Sequence, residues 1–293
     1  MRQVSRKIFE DQSLINVEGS IATVQEVFEL QGEDELREAE AAYLPAAGRA
    51  TNAIILAASR GAELGALTQE IPKTLLPIGG RSILARQIDE MRSLGIKGVT
   101  VVCGYGKDKI QLPDIRKIEN IRFDSTSDLY SLYCARAHLD GDVVISYGDI
   151  IFKQYVLHAL LSDKHDITII VDSNLRKSGH ALDYIKASAP HHKGFFKDAV
   201  ELVSINSVDV LSEAQTHKDV DGEFIGLWRL SGDAGQHVIR IMEKWCEAGV
   251  LDKRTVADLL NQLARERTVA IRYVTGAWMD IDTIVDLQEA GAI

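Results

Sequence analysis

The residues best suited to chemistry fall in short stretches that are far apart in the chain. In NAIILAASRGAELGALTQEIPKTLLP (52–77), Leu56 leads into Ala57, Ala58 and Ser59, which are small enough for a flat base to reach their backbone N–H and C=O groups. Arg60 offers a cation, and Gly61 admits the φ/ψ values needed where a chain closes on phosphates. Pro72 then fixes the chain, and Lys73 sets a point charge beside those phosphates. In VVISYGDIIF (143–152), Asp149 follows an apolar run and Gly148, which puts its carboxylate at the mouth of a cleft. In AWMDIDTIVDLQEA (277–290), Asp280 and Asp282 are two apart and project to one side of an extended chain. Each feature also has an ordinary reading: a surface turn for the small-residue loop, and a helix cap for Asp149 or for one of the later acids.

Three further stretches are less specific. RFDSTSDLYSLYCA (122–135) places Ser125, Thr126 and Ser127 between a strand and a helix, where they could bond a base edge or cap the helix. Gly104 and Tyr105 begin a GYG turn after an apolar strand pattern. ALDYIKAS (181–188) carries Asp183 on one face and Lys186 on the other, candidates for an acceptor's amine and its anion respectively.

From Asn52 onward, short apolar runs alternate with helical patterns. Strands are expected at 53–58, 98–104, 118–123 and 142–147, and helices at 82–94 and 128–138. Strands follow at 167–172, 182–188, 199–205 and 223–230, then helices at 233–247 and 255–265, a strand at 268–274 and a helix at 283–290. This β-α-β order implies an α/β fold with a mixed, mostly parallel sheet flanked by helices. Such sheets bind ligands beyond the carboxyl ends of their strands, so the segments starting at Ala57, Gly104 and Gly148 should line one cleft. Residues 1–49 read differently: Glu- and Ala-rich helical patterns between Glu26 and Tyr43, then Pro45 and Gly48 in a linker at 44–51. The expected division is a helical segment at 1–49 and a main domain at 50–293.

At 293 residues and 46% apolar, the chain can bury a full core, and its net charge of −10 argues against a nucleic-acid partner. Cys103, Cys134 and Cys246 form no CxxC pair or even framework, which suits reduced thiols in a cytoplasmic protein. No apolar run approaches a membrane span, so no membrane partner is expected.

The loop at 52–77 resembles the LAAGxGxRLxPxTxxxPKxLLP signature of sugar-nucleotide pyrophosphorylases and cytidylyltransferases. It differs at Ser59, which stands for a glycine, and at Glu63, which stands for the triphosphate-holding arginine; Arg60 is the candidate replacement cation. Asp149 matches the family's metal-binding GDxxF element, and 278–283 resembles its W-x-D-I-D-T ending. FDSTSDLYSLYCA is similar to the N-x-x-S-L-Y-x-A element of phosphocholine and phosphonate cytidylyltransferases, which narrows the nucleotide to CTP. The resemblance implies a Rossmann-like, GT-A-like nucleotidyltransferase. It implies catalysis by Lys73, Asp149 and Asp282, and Mg²⁺ held by Asp149 and Asp282 with Asp280 beside them. Nucleotide contacts would come from 56–61, Lys73, Gly104, Tyr105, Ser125 and Ser127.

The piece IFEDQSLINVEGSIATVQEVFELQGEDELREAEAAYLP (8–45) resembles the C-terminal tail of phosphoenolpyruvate mutases. With the LAASRG variant, it points to the phosphonate branch. The expected partners are CTP and a small alkylphosphonate such as 2-hydroxyethyl- or 2-aminoethylphosphonate, with a homo-oligomer contact through the N-terminal helices. Two alternatives stay open: a phosphocholine or sugar-phosphate nucleotidyltransferase, and a non-catalytic nucleotide-binding regulator in which Glu63 marks lost chemistry.

Overall fold

The computed structural model describes residues 52–174, 182–189, 200–208 and 220–292. The helical segment at 1–49, its linker and the oligomer contact assigned to it lie outside these residues. In chain order the elements are β1 (Asn52–Ala57), β2 (Pro77–Ile78), β3 (Arg81–Ser82), α1 (Ile83–Ser93), β4 (Gly98–Cys103), β5 (Ile115–Glu119) and α2 (Asp128–Cys134). Then come β6 (Val143–Tyr147), β7 (Ile150–Phe152), α3 (Gln154–Leu161), β8 (Ile167–Asp172), β9 (Leu182–Ala187), β10 (Val200–Val208) and β11 (Gly222–Leu230). The remainder is α4 (Ala234–Glu247), α5 (Val256–Glu266), β12 (Ala270–Val274), β13 (Trp278–Asp280) and α6 (Ile284–Glu289), with short 3₁₀ turns between.

Nine strands form one sheet in the order β5-β4-β1-β6-β11-β8-β12-β10-β9. β1 is parallel to β4 and β6, and β4 is parallel to β5. β11 runs antiparallel to β6 and β8, β12 parallels β8, and β10 is antiparallel to β12 and β9. β10 and β11 therefore oppose the other seven, and the sheet is mixed with one dominant direction, as expected.

Alternation along β1 shows how the layers arise. Ile54 and Leu56 point into a cluster with Leu129 and Leu132 of α2 and with the buried stripes of α4 and α5. Ala53, Ile55 and Ala57 point to the opposite face, against Leu84, Ile88 and Met91 of α1 and Val156, Leu157 and Leu160 of α3. Helices thus cover both faces, and β1 is buried on both, which is why it reads as a continuous apolar run.

The strand expected at 118–123 lies earlier, as β5, and residues 121–125 form turns. Asn120 ends it. Fully buried, its side chain accepts from the Arg122 N–H at 2.9 Å and donates to the Thr126 and Ser131 hydroxyls, each at 3.1 Å. This exchanges ladder bonds for a side-chain-stabilised turn. The helix expected over 128–138 stops at Cys134, and residues 136–138 form a 3₁₀ turn. Among the described residues, no helix is long and apolar enough to cross a membrane.

Candidate active site

The carboxyl ends of β1, β4 and β6 finish level, with Leu56 opposite Tyr147 and Ala57 opposite Cys103. The segments beginning at Ala57, Gly104 and Gly148 therefore meet at one edge of the sheet. The Gly148 N–H donates to the Leu56 carbonyl at 2.8 Å, and a Cβ on Gly148 would fall 2.6 Å from that oxygen. Only glycine lets the chain after β6 press so closely on β1.

Asp149 is held by its flanks. Gln87 of α1, 1% exposed, donates its amide to the carbonyls of Tyr147 at 3.0 Å and Ile150 at 2.8 Å. Its oxygen accepts from the Ser146 hydroxyl at 2.9 Å. Gln87 thereby fixes both sides of the Gly148–Asp149 corner. β13 pairs antiparallel with β7, setting Asp280 opposite Ile150, and the Ile281 N–H reaches the Asp149 carbonyl at 3.2 Å. The Trp278 indole N–H donates to Asp172 at the end of β8 at 2.7 Å, anchoring β13. The capping question at the last helix is resolved: Thr283 caps α6 in a reciprocal box with Asp286, so Asp282 points away from that duty.

Lys73 joins these pieces. Gly61, with φ at +75°, turns the loop, and a Cβ there would lie 2.5 Å from the Lys73 Cβ. The Lys73 N–H donates to the Arg60 carbonyl at 3.1 Å, which ties the two ends of the loop. The Lys73 side chain is 3% exposed. Its Nζ lies 3.1 Å from Asp149, 3.0 Å from Glu63 and 4.0 Å from Asp280, and donates to Asp282. Burial lowers the lysine's pKa, but the charges of Asp149, Asp280 and Asp282 outweigh it and hold the ammonium well above its ordinary range. Asp280 is pushed well above the usual carboxylate range by burial and then by the Asp149 charge.

The donor set fits a divalent cation. Oxygens of Asp149, Asp280 and Asp282 all come within 4.8 Å of one another, and the buried Asp280 Oδ1 has no hydrogen-bond partner. A hard cation with phosphate and water ligands suits an oxygen so placed. Four acids around one ammonium leave the centre net negative, which is the electrostatic demand that such an ion meets.

Of the other expected residues, Leu56, Ala57 and Ser59 line the same pocket as Lys73 and Asp149. Ala58 lies at the end of β1, where its carbonyl accepts from the Tyr105 N–H at 3.0 Å, so the Gly104–Tyr105 turn closes on it. Ser59 is exposed beside Lys73. The Arg60 guanidinium stacks on Tyr105 at 5.5 Å and donates to the Thr68 carbonyl at 3.2 Å. Ser125 bonds the Arg122 carbonyl at 3.3 Å, Ser127 donates to the Arg254 carbonyl, and Ser127's hydroxyl does not cap α2. Asp183 is half-buried on β9, whereas Lys186, on the same strand's other face, pairs with Asp221 at 3.1 Å.

Four residues here were not singled out in the sequence: Asn120, Gln87, Tyr147 and Asp128. Asp128 and Tyr147 share a pocket with Lys73 and Asp149. The Asp128 carboxyl is pushed up to about 7, first by the protein crowded around the pocket floor and then by Asp149.

Residues 53–207, more than half the chain, match the description of a MobA-like NTP transferase domain. Among curated relatives, the CTP:phosphoglutamine cytidylyltransferase of Campylobacter jejuni is 25% identical over 259 residues, covering 81% of this chain and 98% of that protein. The CMP-5'-(3-aminopropyl)phosphonate synthase of Streptomyces rubellomurinus is 28% identical over 169 residues, half of this chain but 27% of that protein. Among solved structures, the CTP:phosphocholine cytidylyltransferase of Streptococcus pneumoniae superposes with a TM-score of 0.63 at 18% identity, covering 83% of this chain and 98% of that one. At that identity the likeness speaks for the fold, which is the Rossmann-like α/β architecture expected. A lysine buried among acids at the strand ends, a matching family description over most of the sheet and a shared architecture agree: the chain belongs to the MobA-like NTP transferase family.

Proposed function

We propose that this protein transfers CMP from CTP to a small alkylphosphonate, releasing pyrophosphate. The observation that carries the reading is Lys73, a buried ammonium fixed between the β1 loop and three aspartates at the ends of β6 and β13. That arrangement handles phosphoryl charge. A phosphonate oxygen, already anionic, attacks the α-phosphorus in line, a new P–O bond forms and the bond to pyrophosphate breaks. No general base is needed, so the chain's task is alignment and neutralisation. Lys73 orients and offsets the charge of the α-phosphate and leaving group. The loop from Ala57 to Gly61 supplies backbone groups to the nucleotide, and Tyr105, held over Ala58, bounds the base. Asp149 and Asp282, with Asp280 beside them, would hold Mg²⁺, which when bound supplies Lewis-acid stabilisation of phosphoryl charge.

CTP is favoured by relatives that name cytidylyl or CMP products, and a phosphonate acceptor by the aminopropylphosphonate synthase among them. The test is pyrophosphate release from each of CTP, UTP, ATP and GTP with Mg²⁺, across 2-hydroxyethylphosphonate, 2-aminoethylphosphonate, phosphocholine and hexose 1-phosphates. Turnover with CTP and a phosphonate is expected. Turnover with phosphocholine or a sugar phosphate and neither phosphonate would overturn the acceptor assignment, and no pyrophosphate with any pair would overturn the reaction.

A further inference from the structure

The amino ends of the strands, opposite the catalytic edge, enclose a second cavity of about 660 Å³. β1 runs from Asn52, which lines this cavity, to Ala57 at the catalytic edge, a span of about 17 Å at about 3.3 Å per residue. The cavity floor interrupts an apolar face of the sheet. On the side of β4 that meets α2, Val102 joins Ile54 and Leu56 of β1 in the core, but two residues earlier the same side presents Thr100. Arg116 of β5 stands opposite Thr100 in the ladder, and Asn52 stands opposite Gly98. A Cβ on Gly98 would fall 2.2 Å from the Asn52 Oδ1, so this glycine leaves the space that the amide occupies. α2 ends at Cys134, and the 3₁₀ turn at Arg136–His138 supplies Ala137 and His138 to the wall.

The donors lining this space lack acceptors. Thr100 is 4% exposed, and its hydroxyl has no partner among the described residues. Arg116 lies 3.1 Å from the His138 Nδ1. A guanidinium has only donors, so Nδ1 accepts and the ring proton sits on Nε2. Burial and then the Arg116 charge hold His138 below its ordinary range, which keeps the ring neutral. Among the described residues, neither Arg116 nor Lys97 has a carboxylate partner. Guanidinium, ammonium, imidazole N–H and hydroxyl together are the set that recognises phosphate oxygens.

Asp114 and Asp140 line the same cavity and make no ion pair among the described residues. Arg92 fixes the Asp114 backbone at its left-handed φ of +54° by donating to the Pro113 and Asp114 carbonyls at 2.9 and 3.0 Å. Cations and acids that line one cavity without meeting suit a ligand that is anionic at one end and carries hydroxyl donors at the other.

We infer that this cavity binds a small phosphate ester. Arg116, Lys97, the Thr100 hydroxyl and the His138 Nε2–H hold its phosphate, and Asp114 and Asp140 accept from its hydroxyl groups. The site uses none of the catalytic residues, so it does not depend on the cytidylyl-transfer reading.

Calorimetry of the full chain with ribose 5-phosphate, inorganic phosphate and ribose tests this, both with Mg²⁺ chelated and with Mg²⁺ present. Ribose 5-phosphate should bind under both conditions, inorganic phosphate about tenfold more weakly, and ribose not at all. Arg116→Gln, a change at an exposed residue, should weaken the ester by about tenfold or more, the loss of one charge-assisted contact. Thr100→Val, which keeps most of the volume, should weaken it by about three- to tenfold. The His138 imidazole resonances should move during the wild-type titration, which distinguishes this cavity from the pocket beside Lys73. If Arg116→Gln melts well below the wild type, Lys97→Gln takes its place with the same expected loss. No heat from ribose 5-phosphate, equal affinity for ribose, unchanged affinity in both cation variants, or an unmoved His138 signal would overturn the site. Inorganic phosphate binding as tightly as the ester would overturn the roles of Asp114 and Asp140.

Discussion

Replacing Lys73 with methionine separates the two demands of the site, because it removes the ammonium while keeping much of the side-chain volume. Lys73 is 3% exposed and stands within 3.1 Å of Asp149 and Glu63, in direct contact with Asp282 and 4.0 Å from Asp280. Without it, four acids face one another across a few ångströms with no cation between them. Breaking a buried ion pair by removing one partner costs roughly 3–5 kcal/mol. The acids themselves are 22–39% exposed, so water takes over part of the charge and the lower end, about 3 kcal/mol, is expected. Urea unfolding in EDTA measures this directly. Adding Mg²⁺ should then restore the variant more than it raises the wild type, because the variant's acid cluster lacks its internal counter-ion. At a concentration about 100 times the dissociation constant, the gain is about 2.7 kcal/mol. Pyrophosphate release should stay lost at every Mg²⁺ concentration, since charge balance is regained but the positioned ammonium is not. A Lys73→Met protein as stable as wild type in EDTA would refute the electrostatic account. Equal stabilisation of both proteins by Mg²⁺ would refute the idea that cation and lysine share one acid cluster.

Other changes probe how the site is positioned. Gln87→Leu leaves the Ile150 carbonyl without its side-chain partner and the Tyr147 carbonyl and Ser146 hydroxyl with only each other, so unfolding free energy should fall by about 1–3 kcal/mol. The same variant should lower kcat more than it raises the KM for CTP, and an intact kcat would mean that the Asp149 corner does not depend on Gln87. Gly61→Ala must adopt φ near +75° and displace the Lys73 stem; steady-state kinetics should show a raised KM for CTP, with a stability loss of about 1–2 kcal/mol from the left-handed backbone. Far from the site, the bidentate pairing with Arg267, at 2.5 and 2.8 Å, lowers the Asp233 carboxyl to about 2 from its ordinary 3.8. A depressed carboxyl contributes stability that is present above the unfolded pKa and lost as pH falls through the folded one. Asp233→Asn should therefore melt below wild type at pH 6, with the gap closing between about pH 4 and 2. A gap independent of pH would contradict the pairing.

The strand ends were legible because their signals are local. β1 buries both faces and so reads as NAIILA, and the lysine follows a proline at a spacing that the loop geometry requires. Gly148–Asp149 closes an apolar run, and Asp280 and Asp282 are neighbours in sequence as they are in space. What escaped was set by partners distant in the chain. Gln87 looks like any polar position of an amphipathic helix until β6 and β7 place two carbonyls in front of it. β7 and α3 were lost in the near-continuous apolar run of IIFKQYVLHALL (150–161), where a three-residue strand and a two-turn helix share too little periodicity to be told apart.

Glu63 shows the same limit in reverse. Its type suggested a defect, because an acid stands where the resembled signature has an arginine, and Arg60 was the candidate to compensate. In the structure Arg60 is engaged with Tyr105 and the Thr68 carbonyl, and Glu63 pairs with Lys73 at 3.0 Å. The substitution thus adds a fourth acid to the cluster around Lys73 instead of merely removing a cation. On the proposed cytidylyl transfer, an incoming triphosphate would have to displace that carboxylate from the lysine, so the nucleotide would compete with Glu63 for the same ammonium. Glu63 is 39% exposed, and it is the cluster's one member carried by the loop before Lys73; the others come from the ends of β6 and β13. It is thus the acid best placed to swing out to solvent when phosphate arrives, leaving the three aspartates where the sheet fixes them.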